Sequence, residues 1–298
     1  MNKKIVGFFS LLLTGLTFGS FGIWIRILSN SLSIYQQIVL RSLFAAIFAF
    51  AIIVFGKRFV HGLRNVNKPK IILYALIVPV YIIFFNVAVL KISIGVTVFT
   101  FYIGSIIFSW ILGSLIFKEK TTPMKSLSLL LVLIGLFCFM YPLSRDSVNI
   151  GLVSALVSGV MDGVANWLRK DLGGKLDKFV LVFITTVGGV AVSGLLMLFA
   201  RQNMFFLNQL TLQTWVLGAG FGFMLVAANY LMLIGFQNFD LGLGVIILSS
   251  ELVFALLFGL FVFKEVPLTK ELIGGLFVLL AIILPNIRLL QTYGKNHG

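Results

Sequence analysis

The sequence predicts an all-α integral membrane protein of ten transmembrane helices, arranged as two inverted five-helix repeats. Three observations predict it. Apolar residues make up 60% of the 298-residue chain and charged residues 11%, with mean hydropathy +1.11; the surface of a soluble domain needs far more charge than that. The apolar residues fall into separate runs close to the ~20 residues a helix needs to cross a bilayer. The second half of the chain repeats the pattern of the first at a nearly constant offset.

The apolar runs cover approximately residues 5–25, 34–55, 71–90, 95–117, 124–142, 150–168, 179–200, 214–236, 243–263 and 271–289. They are helices, because a lipid-exposed backbone must satisfy its own hydrogen bonds, and they lack the ten-residue alternation of barrel strands. The first run follows Lys3 and Lys4, as a signal peptide would. Its length and its counterpart in the second half mark it as a retained span. Outside the runs, sixteen Lys and Arg residues fall on the side of the termini and six on the other. This bias predicts a multi-pass protein of the cell inner (plasma) membrane with both termini cytoplasmic.

An offset of 144 pairs Gly7 with Gly151, Ser10 with Ser154, Gly15 with Gly159, Gly19 with Gly163, and Lys57 with Arg201. Asn86 meets Asn229 at 143, and Gly113, Phe117, Lys118 and Glu119 meet Gly259, Phe263, Lys264 and Glu265 at 146. The repeats are assigned to residues 1–146 and 147–298. Each holds an odd number of helices, so the halves cross the membrane in opposite senses, the architecture of many secondary transporters.

Composition also excludes other functions. A net charge of +14 invites a nucleic-acid reading, but the basic residues sit in short breaks between spans and not on one solvated face. Cys138 is the single cysteine, and His61 and His297 lie in a loop and at the C-terminus. No metal site, catalytic residue or cofactor is therefore expected, nor is there a phosphate-binding G-x-x-x-x-G-K-[ST] run.

Two stretches carry a family resemblance. Residues 250–286, SELVFALLFGLFVFKEVPLTKELIGGLFVLLAIILPN, resemble the ending of an EamA-type repeat of the drug/metabolite transporter superfamily. The stretch 104–142, centred on FKEKTTP, resembles the same ending in the first half. The resemblance implies a central cavity walled by the first, third, fourth, sixth, eighth and ninth helices. It also implies peripheral final helices in each repeat, suited to homodimer contacts, and relatives that move amino acids and other metabolites, often outward. The fifth span departs from the family's usual glycine placement. No basic pair resembles the phosphate-binding residues of the sugar-phosphate branch.

Within the spans, Asp162 and Glu251 stand out, since a charged residue at a helix centre costs about 2.5–3.5 kcal/mol on insertion scales. Asn166 lies one turn after Asp162, so Gly159, Asp162, Gly163 and Asn166 share one small, polar face. Arg41 is the basic residue well inside a predicted span, and the two acids are its candidate partners. Either a fixed ion pair holds helices together, or one acid faces the cavity to bind a substrate ammonium or exchange a proton. Asn86 and Asn229, with Tyr230 beside the latter, suit a zwitterionic ligand or interhelical hydrogen bonding equally. Tyr81, Tyr102, Trp24 and Trp167 either line a pathway or, for the tryptophans, form part of an interfacial aromatic belt. Gly15 and Gly19, with Gly159 and Gly163, are small-xxx-small pairs for close helix packing or a pivot. Glu119 and Glu265 are expected to cap the helix that follows each.

The expectation is a carrier, not an enzyme. It would move a small polar, amino-acid-like metabolite, by preference outward, by alternating access, with substrate and membrane lipids as its partners and no nucleic acid. The alternative is a membrane-embedded enzyme acting on a lipid or polyprenyl substrate, for which Asp171 and Asp177 offer no defensible metal-ligand spacing.

Overall fold

The computed structural model describes residues 3–57, 67–92, 94–140, 150–202 and 210–287. Both histidines, and Arg58, Arg64, Arg145, Arg288 and Lys295 of the charge count, lie outside these. In the first repeat, α1 (Lys3–Gly19) and α2 (Phe21–Leu28) form the first span. It continues with α3 (Ile34–Phe55), α4 (Lys68–Lys91), α5 (Ile94–Phe117) and α6 (Pro123–Met140). The second repeat has α7 (Ile150–Gly173), α8 (Lys178–Phe199), α9 (Leu212–Asn238), α10 (Leu241–Leu248) with α11 (Ser250–Phe263), and α12 (Thr269–Ile283). Among the described residues, nine helical segments are long and apolar enough to cross a membrane, and α6 is a shorter apolar helix.

The first and ninth spans are each interrupted once, at Ser20 and Ser249. Ser20 Oγ donates to the Thr17 carbonyl at 2.6 Å and Ser249 Oγ to the Ile246 carbonyl at 2.7 Å. Such back-bonding competes with the helical ladder and bends it. Starts and stops follow local chemistry. Ser33 and Gln36 form a capping box on α3, Asp177 accepts from the Phe179 amide on α8, and Thr211 from the Thr214 amide on α9. Lys57, Lys118, Arg201 and Lys264 end α3, α5, α8 and α11 with φ of 51°, 53°, 50° and 57°. A left-handed residue closes the last turn, and a basic side chain there suits the negative end of the helix dipole. These four are two repeat-related pairs, so Arg201 and Lys264 owe their place on the less basic side to terminating helices.

The halves interlock. α7 packs on α4 and α5 of the other repeat, α1 packs on α9, α10 and α11, and α3 lies against α8 and α9. Glycine makes the crossings close. A Cβ at Gly19 would stand 2.8 Å from Phe254 Cβ and 2.9 Å from the Glu251 carbonyl oxygen; one at Gly163 would stand 2.8 Å from Phe108 Cβ and 3.3 Å from the Ser105 carbonyl oxygen. The offset of 146 turns Ser105 and Phe108 into Glu251 and Phe254. The two crossings are therefore the same contact made once in each sense, with Ser105 on α5 where α11 carries Glu251.

α6 and α12 pack on each other, with Gly135 against Gly274 and Phe277, and Ser128 Oγ donating to the Ala281 carbonyl. Leu127, Leu130, Phe137, Leu272 and Leu276 on their outer faces are exposed, as lipid contact requires.

Candidate functional site

A cavity of ≈ 300 Å³ lies between the repeats. Phe18, Phe21 and Ile25 of the first span, Phe85, Phe101, Val245 and Leu248 give it mostly apolar walls, and the polar lining includes Arg41, Asn86, Asp162, Asn229 and Glu251. α3 and α8 also wall it, through Arg41, Ser42, Thr185, Thr186 and Ser193. This corrects the set of helices implied by the family resemblance, which omitted both. The reason is packing: α3 and α8 lie against each other across the repeats, where Gly189 admits the Ser42 side chain at close range. Pro79 also lines the cavity. Proline cannot donate to the carbonyl four residues back, and Gly188 brings α8 within 2.6 Å of that Ala75 oxygen for a Cβ built at the glycine.

Asp162 is neutralised locally, and not by Arg41. Its Oδ1 accepts from Arg169 Nη1 at 2.9 Å, and its Oδ2 accepts from Ser105 Oγ at 2.7 Å and Asn166 Nδ2 at 3.0 Å. Arg169 also donates to Asn166 Oδ1 and to the Tyr81 hydroxyl at 3.1 Å, and Tyr74 lies buried against the same guanidinium. Arg169 is 1% exposed. The apolar run ends at Leu168 and leaves Arg169 among the loop cations, whereas α7 runs on to Gly173. Spacing was the available signal: Arg169 follows Asn166 by three residues and Asp162 by seven, the recurrence of one helix face.

Arg41 therefore loses its expected carboxylate partner. Its guanidinium lies 4.9 Å from the centroid of Phe221, a cation–π placement, and its Nε makes no hydrogen bond. Phe221 comes from α9, which crosses α3 at Gly222, packed on the Arg41 carbonyl. Glu251 faces the Tyr102 hydroxyl within side-chain hydrogen-bonding reach, and no basic group among the described residues forms an ion pair with it. The lining thus holds one compensated acid, Asp162, beside one acid and one guanidinium without charged partners among the described residues.

The remaining candidates divide. Asn86 lines the cavity with an Nδ2 that finds no acceptor; Asn229 lines it while donating to the Leu225 carbonyl at 2.8 Å. Tyr81 and Tyr102 line it too. Tyr230 instead stacks on Phe179 with centroids 4.4 Å apart. Trp24 stacks on Phe221 at 6.0 Å, and Trp167 lies under Lys70 Nζ at 5.2 Å. Gly15 packs over Ser250 and Gly159 over the Phe101 carbonyl. Glu119 does meet a helix N-terminus, but that of α10 and not of the α6 that follows: it accepts from the Leu241 amide at 2.8 and 3.0 Å. Glu265 instead pairs with Arg26 at 2.6 Å, and among the described residues it accepts from no helix N-terminus.

Comparison with known proteins agrees with this arrangement. The family model of the EamA-like transporter family matches residues 5–141 and again residues 149–287. One solved crystal structure, whose description names no activity, shares the fold with a TM-score of 0.77 over 96% of both chains at 13% identity. No curated protein matches the sequence. Two matched stretches that together span nearly the whole chain, on a ten-helix bundle enclosing a cavity, place it plainly: the protein belongs to the EamA-like transporter family.

Proposed function

We propose that the protein is a secondary or facilitative carrier of a small zwitterionic, amino-acid-like metabolite, working by alternating access in the cell inner membrane with both termini cytoplasmic. One observation carries the substrate class. The cavity presents Glu251 and Arg41 on different helices, neither in an ion pair among the described residues, between walls that are otherwise largely apolar. A carboxylate without a counter-charge favours an ammonium, and a guanidinium favours a carboxylate by forked hydrogen bonds. A ligand bearing both groups neutralises both walls at once, while a neutral sugar or a simple anion leaves one charge unmatched. Asn86, with a free amide N–H, adds a donor for the carboxylate end.

The volume suits a small molecule, at the lower end of ordinary ligand pockets. The site lies between the repeats, where rocking of one half against the other exchanges access. The outward direction rests on the family resemblance.

A thermal-shift screen of the purified protein against amino acids, amines, sugars and carboxylates tests the reading. A ligand bound only by the native state stabilises it by about 2.7 kcal/mol at a hundredfold excess over Kd. Zwitterions should raise the midpoint, and both Glu251→Gln and Arg41→Gln should abolish the rise. Equal stabilisation by sugars, or an undiminished response in either variant, would refute it.

A further inference from the structure

The same three-part device of cation, carboxylate and aromatic ring stands toward each end of the cavity, and the two copies differ in exposure. At the end of α7, Lys170 Nζ pairs with Glu119 Oε1 at 2.7 Å and lies 4.9 Å from the centroid of the Phe117 ring. At the end of the first span, Arg26 Nη1 pairs with Glu265 Oε1 at 2.6 Å, and its guanidinium lies 4.3 Å from the centroid of the Phe263 ring. The repeat offsets carry one set onto the other, Arg26 onto Lys170 at 144, and Phe117 and Glu119 onto Phe263 and Glu265 at 146. Each pair joins the first helix of one repeat to the fourth helix of the other. Because the repeats are inverted, the pairs stand on opposite sides of the membrane.

Their surroundings differ sharply. The side chains of Lys170 and Glu119 are 16% and 13% exposed, whereas those of Arg26 and Glu265 are 54% and 56% exposed. Glu119 is further held by the Leu241 amide at the start of α10, and Lys170 by the Phe239 carbonyl at 2.6 Å. Three more ion pairs lie at this end, Lys70 and Lys175 each with Asp171 and Lys125 with Asp240. The cavity is lopsided in the same direction. Its lining reaches Ile25, beside Arg26, and at the other end stops at Val245, short of Lys170 and Glu119.

We propose that the two pairs are alternating gates, and that this conformation is closed at Lys170–Glu119 and open at Arg26–Glu265. In the opposite conformation the repeats exchange roles. Arg26 and Glu265 become buried, Glu265 seats on the N-terminus of α5, which is the repeat equivalent of α10, and Lys170 and Glu119 separate into water. An exposed pair contributes little, while a buried one is costly to break by removing a single partner. The shut gate therefore sets the balance between states, and its repeat-related twin keeps that balance close to even. The proposal rests on the transport reading but not on the identity of the ligand.

The test uses the full chain in right-side-out and inverted vesicles, with Cys138→Ser and a reporter cysteine at Val245, the cavity residue nearest the shut end. A membrane-impermeant maleimide is the probe, and no substrate is added. Lys170→Ala and Glu119→Ala should each raise labelling from the Lys170 face about tenfold, the ~1.4 kcal/mol that falls between the worth of an exposed pair and the cost of breaking a fully buried one. Arg26→Ala, which weakens the opposite state, should lower labelling from that face. Lys170→Arg should keep the parental pattern, as should Lys175→Ala, a half-exposed cation whose partner Asp171 lies in its own repeat. Unchanged labelling in Lys170→Ala overturns the proposal. So does an equal rise from both faces, which would report unfolding, or a rise in Lys175→Ala as large as in Lys170→Ala. A failed ligand screen would leave these outcomes untouched, and a failed gate would leave the ligand screen untouched.

Discussion

Removing Arg169 tests whether Asp162 serves the architecture or the ligand. The side chains of the pair are 2% and 10% exposed, with Nη1 and Oδ1 2.9 Å apart. Arg169→Ala leaves the Asp162 carboxylate with hydrogen bonds from Ser105 and Asn166 but no cation, and leaves the Tyr81 hydroxyl without its donor. Breaking a buried pair from one side costs about 3–5 kcal/mol. At about 2 °C per kcal/mol for a chain of this size, the apparent midpoint in detergent should fall by about 6–10 °C. Asp162→Asn should cost less, because it removes the charge and keeps the shape. The double variant Asp162→Asn/Arg169→Ala should cost less than the sum by about 2 kcal/mol, since neither charge is then left alone. The assay is a double-mutant cycle of thermal midpoints on purified protein without ligand. Costs that add to within about 0.5 kcal/mol would refute the coupling, as would an Arg169→Ala variant as stable as its parent. Either result would return Asp162 to the list of ligand-facing acids.

Glu251→Gln should leave expression and the ligand-free midpoint near those of the parent, because no cation depends on it, while ligand-induced stabilisation disappears; thermal shift with and without a zwitterion checks both. Gly159→Ala should cut the yield of folded protein, measured by size-exclusion chromatography, because its Cβ would overlap the Phe101 carbonyl, which is backbone and cannot swing aside. Gly22→Ala meets nothing within 4 Å and should be neutral or stabilising by up to about 1 kcal/mol, since alanine favours a helix over glycine. Ser105→Ala, read by the same midpoint assay, should cost about 1.5–3 kcal/mol, the range for a hydrogen bond to a charged group.

Much of the architecture was legible along the chain because the bilayer imposes it. A span needs a fixed apolar length, and an odd number of spans per repeat forces the inverted relation. Intramembrane acids are costly enough that Asp162 and Glu251 stood out singly, and both do line the cavity. The repeat offsets were equally plain, and they placed Gly19 and Gly163 at matched positions before any crossing was seen.

The partners of those charges were a different matter. Hydropathy cut the sixth span at Leu168, and that single boundary hid Arg169 although its helical spacing to Asp162 was readable. Arg41 was then matched to the acids because they were the charges in view. Whether two groups on different helices meet depends on which faces the crossings turn together. Those faces are set by glycines that admit a neighbouring backbone, as Gly222 admits α3 and Gly19 admits α11. Thr185, Thr186 and Ser193 went unremarked for the same reason: hydroxyls are common in membrane helices, and only the packing of α8 on α3 aims these at a cavity. Local periodicity and the cost of charge in lipid therefore determined from sequence the number of helices, their pairing into repeats and the identity of the exceptional residues. Only the tertiary structure decided what surrounds those residues: Arg169 shares a helix with Asp162, but Ser105, 57 residues from it, and the Phe221 ring beside Arg41 arrive through crossings of the two halves, made by shape rather than by order along the chain.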